Sequence, residues 1–222
     1  MNTLSRTQLA QVVASHLPNN SFVNLGIGAP TTVGDYVSPT AGIMLHSENG
    51  ILHIGPKPPA GQEDYDLINA GKTPITLGVG GSYFDTSLSF AMMRGGHLDI
   101  AILGAFQVSE KGDLANWTTG GDTGAPPAVG GAIDLAVGAK SIWVMMDHTT
   151  KEGAPRIVRE CTFPLTAAGV VDRIFTNMAI IDVHPDGLHV QSILEGVSME
   201  ELQQLTGAPL KAGDSLRRMP KQ

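Results

Sequence analysis

Glu48 stands in the tetrapeptide Ser47-Glu48-Asn49-Gly50, between the apolar runs "GIMLH" (42–46) and "ILHIG" (51–55). Asn-Gly between two apolar runs is the pattern of a tight hairpin turn. A carboxylate on such a turn has two readings. It is a solvated loop acid, or it is a nucleophile or acid/base group delivered by the end of a strand. Asn24 raises a similar choice, because it interrupts the apolar run Phe22-Val23-Asn24-Leu25. A side-chain amide there must find partners. These are neighbouring backbone groups, or a ligand or side chain that it orients. Lys72, in "INAGKTP", is by default a surface lysine on a turn. Cys161 is the single cysteine, so it has no disulfide partner and reads as a small buried hydrophobe. The histidines do not fall at metal-ligand spacing, and no metal site is expected.

Glycines close several of the apolar runs: Gly26 and Gly28, then Gly78, Gly80 and Gly81, then Gly130 and Gly131. Such turns let backbone approach a ligand closely. In an open α/β sheet they collect on the ligand-binding face, outside the carboxyl ends of the strands. "GIGAPT" has Thr31 where a dinucleotide fingerprint needs its third glycine, and no G-x-x-x-x-G-K-[ST] loop occurs. Neither NAD nor ATP is therefore expected.

The elements that must position these residues follow from periodicity and punctuation. Ser5 and Gln8 form a capping box for a helix over 6–17. Strands are predicted at 22–28, 42–46, 74–81 and 141–146. The run 99–108 is too long for one simple surface strand. Residues 110–117 turn into a second short strand. Asp85 caps a helix that Gly95 ends. Residues 118–138 read as a long loop opening onto a short helix. "MAIIDVHPDGLHVQSI" (178–193) is a hairpin about Pro-Asp-Gly. Ser198 and Glu201 box the start of a last helix, with Gly207 as its stop. The alternation predicts a single α/β domain over 1–222, with its core at about 4–210 and a flexible tail at 211–222. Its mostly parallel open sheet carries helices on both faces and antiparallel pairs at one end.

Bulk properties narrow the function. The chain has 222 residues, 42% hydrophobic and 16% charged, a globular balance. Net charge is −7 and the only basic block is Arg217-Arg218, which argues against nucleic acid or an anionic membrane as partner. One cysteine and no apolar stretch of membrane-spanning length predict a cytoplasmic protein.

Read in order, "VNLGIGAPT", "LHSENG", "DLINAGK", "SFAMMRGGHLDIAILGAFQVSEKGDLANW", "VGGAIDLAVGAK" and "CTFPLT" resemble the β (B) subunits of family I CoA-transferases, from about Leu4 to Leu210. The resemblance implies that Glu48 is the nucleophile and that Asn24 orients groups near it. Gly131 would offer its backbone N–H to an oxyanion. Lys72, with Gly26, Gly28 and Gly130, would serve the CoA-binding side. It implies no permanently bound cofactor, a coenzyme A thioester as substrate, and an A (α) subunit as partner in a hetero-oligomer. The implied reaction moves CoA from succinyl-CoA to 3-oxoadipate through a glutamyl-CoA thioester. Acetoacetate or another short 3-oxoacid is the alternative acceptor. From a different class, a non-catalytic ligand-binding module on the same fold is the remaining alternative. An ordinary Glu, with a pKa of about 4.3, is already ionised at pH 7, so a carboxylate nucleophile needs no paired histidine.

Overall fold

A computed structural model describes residues 3–121 and 129–220. Helix α1 (Arg6–His16) starts at Ser5, whose hydroxyl accepts from the Gln8 N–H while the Gln8 side chain accepts from the Ser5 N–H. Its buried face is Leu9, Ala10 and Val13. Strand β1 (Phe22–Leu25) leads into a 3₁₀ helix (Ala29–Tyr36) with Pro30 in its first turn. Strands β2 (Met44–Ser47) and β3 (Ile51–Ile54) form an antiparallel hairpin, and β4 (Leu77–Tyr83) pairs with β3. Helix α2 (Thr86–Arg94) is capped by the Asp85 carboxylate on the Leu88 N–H and ends at Gly95.

The long apolar run divides. Its first part is β5 (Ile100–Leu103), in the large sheet. Its second part is β6 (Gln107–Ser109), which pairs with β7 (Leu114–Ala115) in a separate three-stranded sheet. Then follow α3 (Ala132–Gly138), β8 (Ser141–Met146) and β9 (Ile157–Val158), the last completing the small sheet beside β6. Strands β10 (Val171–Thr176), β11 (Ala179–His184) and β12 (Gly187–Leu194) come next. Helix α4 (Met199–Gln204), boxed by Ser198 and Glu201, and β13 (Leu210–Met219) complete the chain. Helix α4 stops at Leu205, two residues before Gly207.

Ten strands make one sheet in the order β13-β12-β11-β10-β8-β5-β1-β2-β3-β4. The centre, β10-β8-β5-β1-β2, is parallel throughout. Ile100, Ala101, Ile102 and Leu103 are buried in succession, so both faces of that centre are covered. Two sequence expectations need correction. Antiparallel pairs flank the centre on both sides, at β2-β3-β4 and at β10-β11-β12, not at one end. Residues 211–219 are not a flexible tail but most of β13, an edge strand in register with β12. Its exposed Lys211, Arg217 and Arg218 made it read as a solvated tail. Charges of this kind suit an edge that must not recruit another strand. Residues 122–128, within the expected long loop, lie outside the described residues. Among the described residues, no helix is long and apolar enough to cross a membrane.

The chain leaves β1 in one direction toward β2, β3 and β4, then returns to β1's other side to lay down β5 and β8. Neighbouring strands there feed their connections in opposite directions. A crevice therefore opens at the carboxyl ends of β1 and β5, the usual ligand position of an open parallel sheet.

Candidate active site

The β2–β3 turn is built around Gly50, at φ +107°. Its N–H donates to the Ser47 carbonyl at 3.0 Å, and its carbonyl accepts from the Phe84 N–H at 3.0 Å. A side chain at this position would run into the Phe84 carbonyl. The two polar neighbours of Glu48 turn away from the crevice. Ser47 Oγ accepts from the Ala70 N–H at 2.9 Å, and Asn49 Nδ2 donates to the Ile68 carbonyl at 2.8 Å. Both bonds anchor the "INAGK" loop. Glu48 is the member of the turn left to face the crevice.

The Glu48 carboxylate accepts a hydrogen bond from the Gly131 backbone N–H. Gly130, at φ +54°, makes the bend that aims this N–H. A Cβ on Gly131 would overlap Glu48 Oε2 and approach its Cδ to 3.0 Å, so only glycine permits the contact. Burial pushes the Glu48 carboxyl above its ordinary pKa; the Gly131 N–H pulls it back, and the Asp134 carboxylate in the first turn of α3 raises it further. Asp134 is itself tied to Arg94 Nε at 2.6 Å.

Glu48, Gly130 and Gly131 line a cavity of about 560 Å³. Its other walls come from the carboxyl ends of the central strands: Gly26 and Ile27 after β1, Gly104 and Phe106 after β5, and Asp147 after β8. Gly26 is required by close approach. Its N–H donates to the Ile102 carbonyl at 2.8 Å, and a Cβ would lie 2.9 Å from that oxygen.

The sequence-nominated residues are not all in one place. Glu48, Gly131, Gly130 and Gly26 meet in the cavity. Asn24 lies behind it, 2% exposed, with Nδ2 at 3.0 Å from His46 Nδ1 and donating to the His46 carbonyl at 3.2 Å. His46 Nε2 lies 3.0 Å from Ser89 Oγ. Asn24 thus joins β1 to β2 and α2, and reaches Glu48 only through the strand that carries it. Burial lowers the His46 pKa to about 4, so the ring is neutral. Gly28, at φ +94°, turns the chain into the 3₁₀ helix between two segments that bear on the cavity. Lys72 is exposed on the loop that Ser47 and Asn49 hold, outside the cavity wall. Its neighbours Gly71 and Thr73 line a second cavity of about 230 Å³. Sequence reasoning did not single out His46 and Ser89 as a pair. His46 inside an apolar strand and Ser89 mid-helix were the available signals, but only the fold pairs them.

The model of the coenzyme A transferase family matches residues 6–204. The chain belongs to the coenzyme A transferase family. Within it, the chain is 56% identical over 207 residues to the B subunit of a 3-oxoadipate CoA-transferase of Pseudomonas putida, covering 93% of this chain and 96% of that protein. It is 43% identical over 212 residues to the B subunit of a probable succinyl-CoA:3-ketoacid coenzyme A transferase of Bacillus subtilis, covering 96% and 97% respectively. Among solved structures, an acyl-CoA transferase of Escherichia coli O157:H7 superposes with a TM-score of 0.75 at 18% identity. That match covers 96% of this chain, which spans 43% of the length of the Escherichia coli protein. It shows a shared fold. The expected α/β CoA-transferase architecture is thereby borne out.

Proposed function

We propose that this chain is the B subunit of a CoA-transferase that moves CoA from succinyl-CoA to 3-oxoadipate, with Glu48 as the covalent nucleophile. The observation that carries the mechanism is the Glu48 carboxylate held against the Gly131 N–H on the wall of the crevice. The acceptor is favoured by the 56% identity to the Pseudomonas putida protein, against 43% to the 3-ketoacid relative. The Pseudomonas putida protein is named as a B subunit, which supports an A subunit as partner of this chain.

The chemistry conserves the thioester. Glu48 attacks the carbonyl of succinyl-CoA to give a tetrahedral oxyanion. Collapse expels CoA thiolate and leaves a succinyl-glutamyl anhydride. The thiolate then attacks the glutamyl carbonyl, releasing succinate and leaving CoA on Glu48 as a thioester. The acceptor carboxylate attacks that thioester, and the same steps run in reverse to give its CoA ester. One hard exchange becomes several easier ones. In this reading the Gly131 N–H, bound to the resting carboxylate, turns to the oxyanion of each tetrahedral intermediate. Asn24 holds β2 in register rather than touching substrate. Gly26, Gly28 and Gly130 leave room for the thioester arm, and exposed Lys72 offers its charge to the CoA phosphates. Residues 1–222 act as one domain, in the cytoplasm.

The test mixes the chain with its A subunit and succinyl-CoA, without acceptor. Peptide mass analysis is expected to find CoA on Glu48. No adduct, together with full activity in Glu48→Ala, would sink the mechanism.

A further inference from the structure

Besides Glu48, the large cavity is lined by a cation that forms no ion pair among the described residues. Arg156 lies just ahead of β9, beside Ala105 and Phe106 on the cavity wall. Its backbone N–H donates to the His148 carbonyl at 3.2 Å, which fixes the segment. Its Nη1 donates to the Ala105 carbonyl at 3.2 Å, which fixes the guanidinium. Its Nε is buried and hydrogen-bonds to nothing among the described residues. Asp147 lines the same cavity without pairing with it, and exposed Glu152 feels its charge only through space. The charged group that acts on Glu48 is Asp134, so the arginine is not committed to the nucleophile. The other polar groups of that wall are engaged: Asn116 accepts from Thr166, Trp117 donates to Leu165, and Asn177 accepts from the His148 N–H.

A guanidinium carries five N–H donors in a planar fork that matches a carboxylate. Pinned and partly buried, it loses little freedom on binding an anion and is poorly screened by water. Arg6 also lines the cavity, but it is exposed at the start of α1, where solvent screens its charge.

We propose that Arg156 binds the free distal carboxylate of a dicarboxylic acyl group while the carbonyl at its other end reacts at Glu48. This rests on the CoA-transferase reading above and adds to it a residue that selects the acyl chain. Succinyl and 3-oxoadipyl groups both end in such a carboxylate. They differ by two carbons; Nε is buried, so the terminal nitrogens of the fork, of which Nη1 also holds the Ala105 carbonyl, are the donors that meet either chain. One arginine then serves donor and acceptor in turn, as a shared site for both half-reactions requires. Acyl chains ending in a methyl group leave the arginine unpaired in the closed site and are rejected for that reason.

The experiment uses the reconstituted A–B complex and follows loading of CoA onto Glu48 from succinyl-CoA and from butyryl-CoA, which ends in methyl. The wild-type complex is expected to prefer succinyl-CoA. Arg156→Gln is expected to reduce the ratio of the two kcat/KM values roughly 10- to 100-fold, the usual effect of one charged hydrogen bond. Arg156→Lys should recover part of it. Arg6→Gln should leave the ratio near wild type. The 3-oxoadipate to 3-oxohexanoate ratio should move in parallel. A wild-type complex that loads both thioesters alike overturns the proposal, even if Arg156→Gln fails to fold. So does an unchanged ratio in Arg156→Gln, or a collapse in Arg6→Gln. Loading from neither thioester overturns the CoA-transferase reading itself and this inference with it, a result distinct from loading without selectivity.

Discussion

At the scale of single residues, the site is a carboxylate and a backbone N–H whose contact tolerates no added atom. Gly131→Ala places a methyl group against Glu48 and 3.3 Å from Phe90 Cζ. If the Gly131 N–H serves the oxyanion as proposed, kcat in the reconstituted enzyme should fall by about 10²-fold or more, the usual cost of losing such a donor. The melting temperature, measured alongside, should move little, because the cavity has room for the displaced carboxylate. The pH dependence follows from Glu48. Burial and Asp134 raise its pKa above the ordinary value, and in the proposed mechanism only the ionised form attacks. So kcat/KM should fall on acidification through an apparent pKa above that of a free glutamate. Asp134→Asn, which removes a like charge, should move that limb to lower pH. Because the folded chain holds this proton more tightly than the unfolded one, ionising Glu48 works against folding above its pKa. Glu48→Gln should therefore be inactive and yet melt higher at pH 7, as calorimetry can show. Glu48 and Gly131 stood out in the sequence because short motifs surround them, and the fold brings the two together in one cavity. Arg156 was not, since its only distinction is a missing partner, and that is visible only when the wall around it is built.

At the scale of elements, the β2–β3 turn carries the site. Gly50→Ala combines a left-handed backbone with a collision at the Phe84 carbonyl. It should destabilise the chain by about 2 kcal/mol or more in urea titrations and lower CoA loading at Glu48. Caps and hairpins could be read in advance: Ser5, Asp85, Ser198 and the Pro-Asp-Gly turn all act locally. Strand order could not, because a strand's neighbours lie far along the chain. For the same reason the placing of the two hairpins on opposite flanks of the sheet went unseen, and β13 looked like a tail. Yet β13 covers the edge of β12, whose Leu188, Val190, Ile193 and Leu194 are fully buried. A chain truncated after Pro209 should therefore fail to fold cooperatively, as loss of a sharp calorimetric transition would reveal.

At the scale of the whole molecule, two buried histidines sit in different halves of the large sheet. His46 bonds with Asn24 and Ser89 near β1, and His148 with Thr176 and Thr206 near β10. Burial lowers each pKa to about 4. The unfolded chain binds these protons near pH 6.5 and the folded chain does not until about pH 4, so stability rises with pH across that window. Each histidine accounts for roughly 3 kcal/mol between those limits. The urea midpoint should drop steadily from pH 6.5 to 4, and His148→Gln should flatten the slope by about half. The crevice between β1 and β5 has one more consequence, in the time order of synthesis. Glu48 emerges early, but β5, which lies against the other side of β1 from β2, the glycines that aim an N–H at Glu48 and the arginine wall are all made later. Contacts this distant in sequence close late in folding. A nascent chain thus carries its proposed nucleophile as an ordinary surface acid, and the proposed thioester chemistry begins only when the far half of the chain has come home.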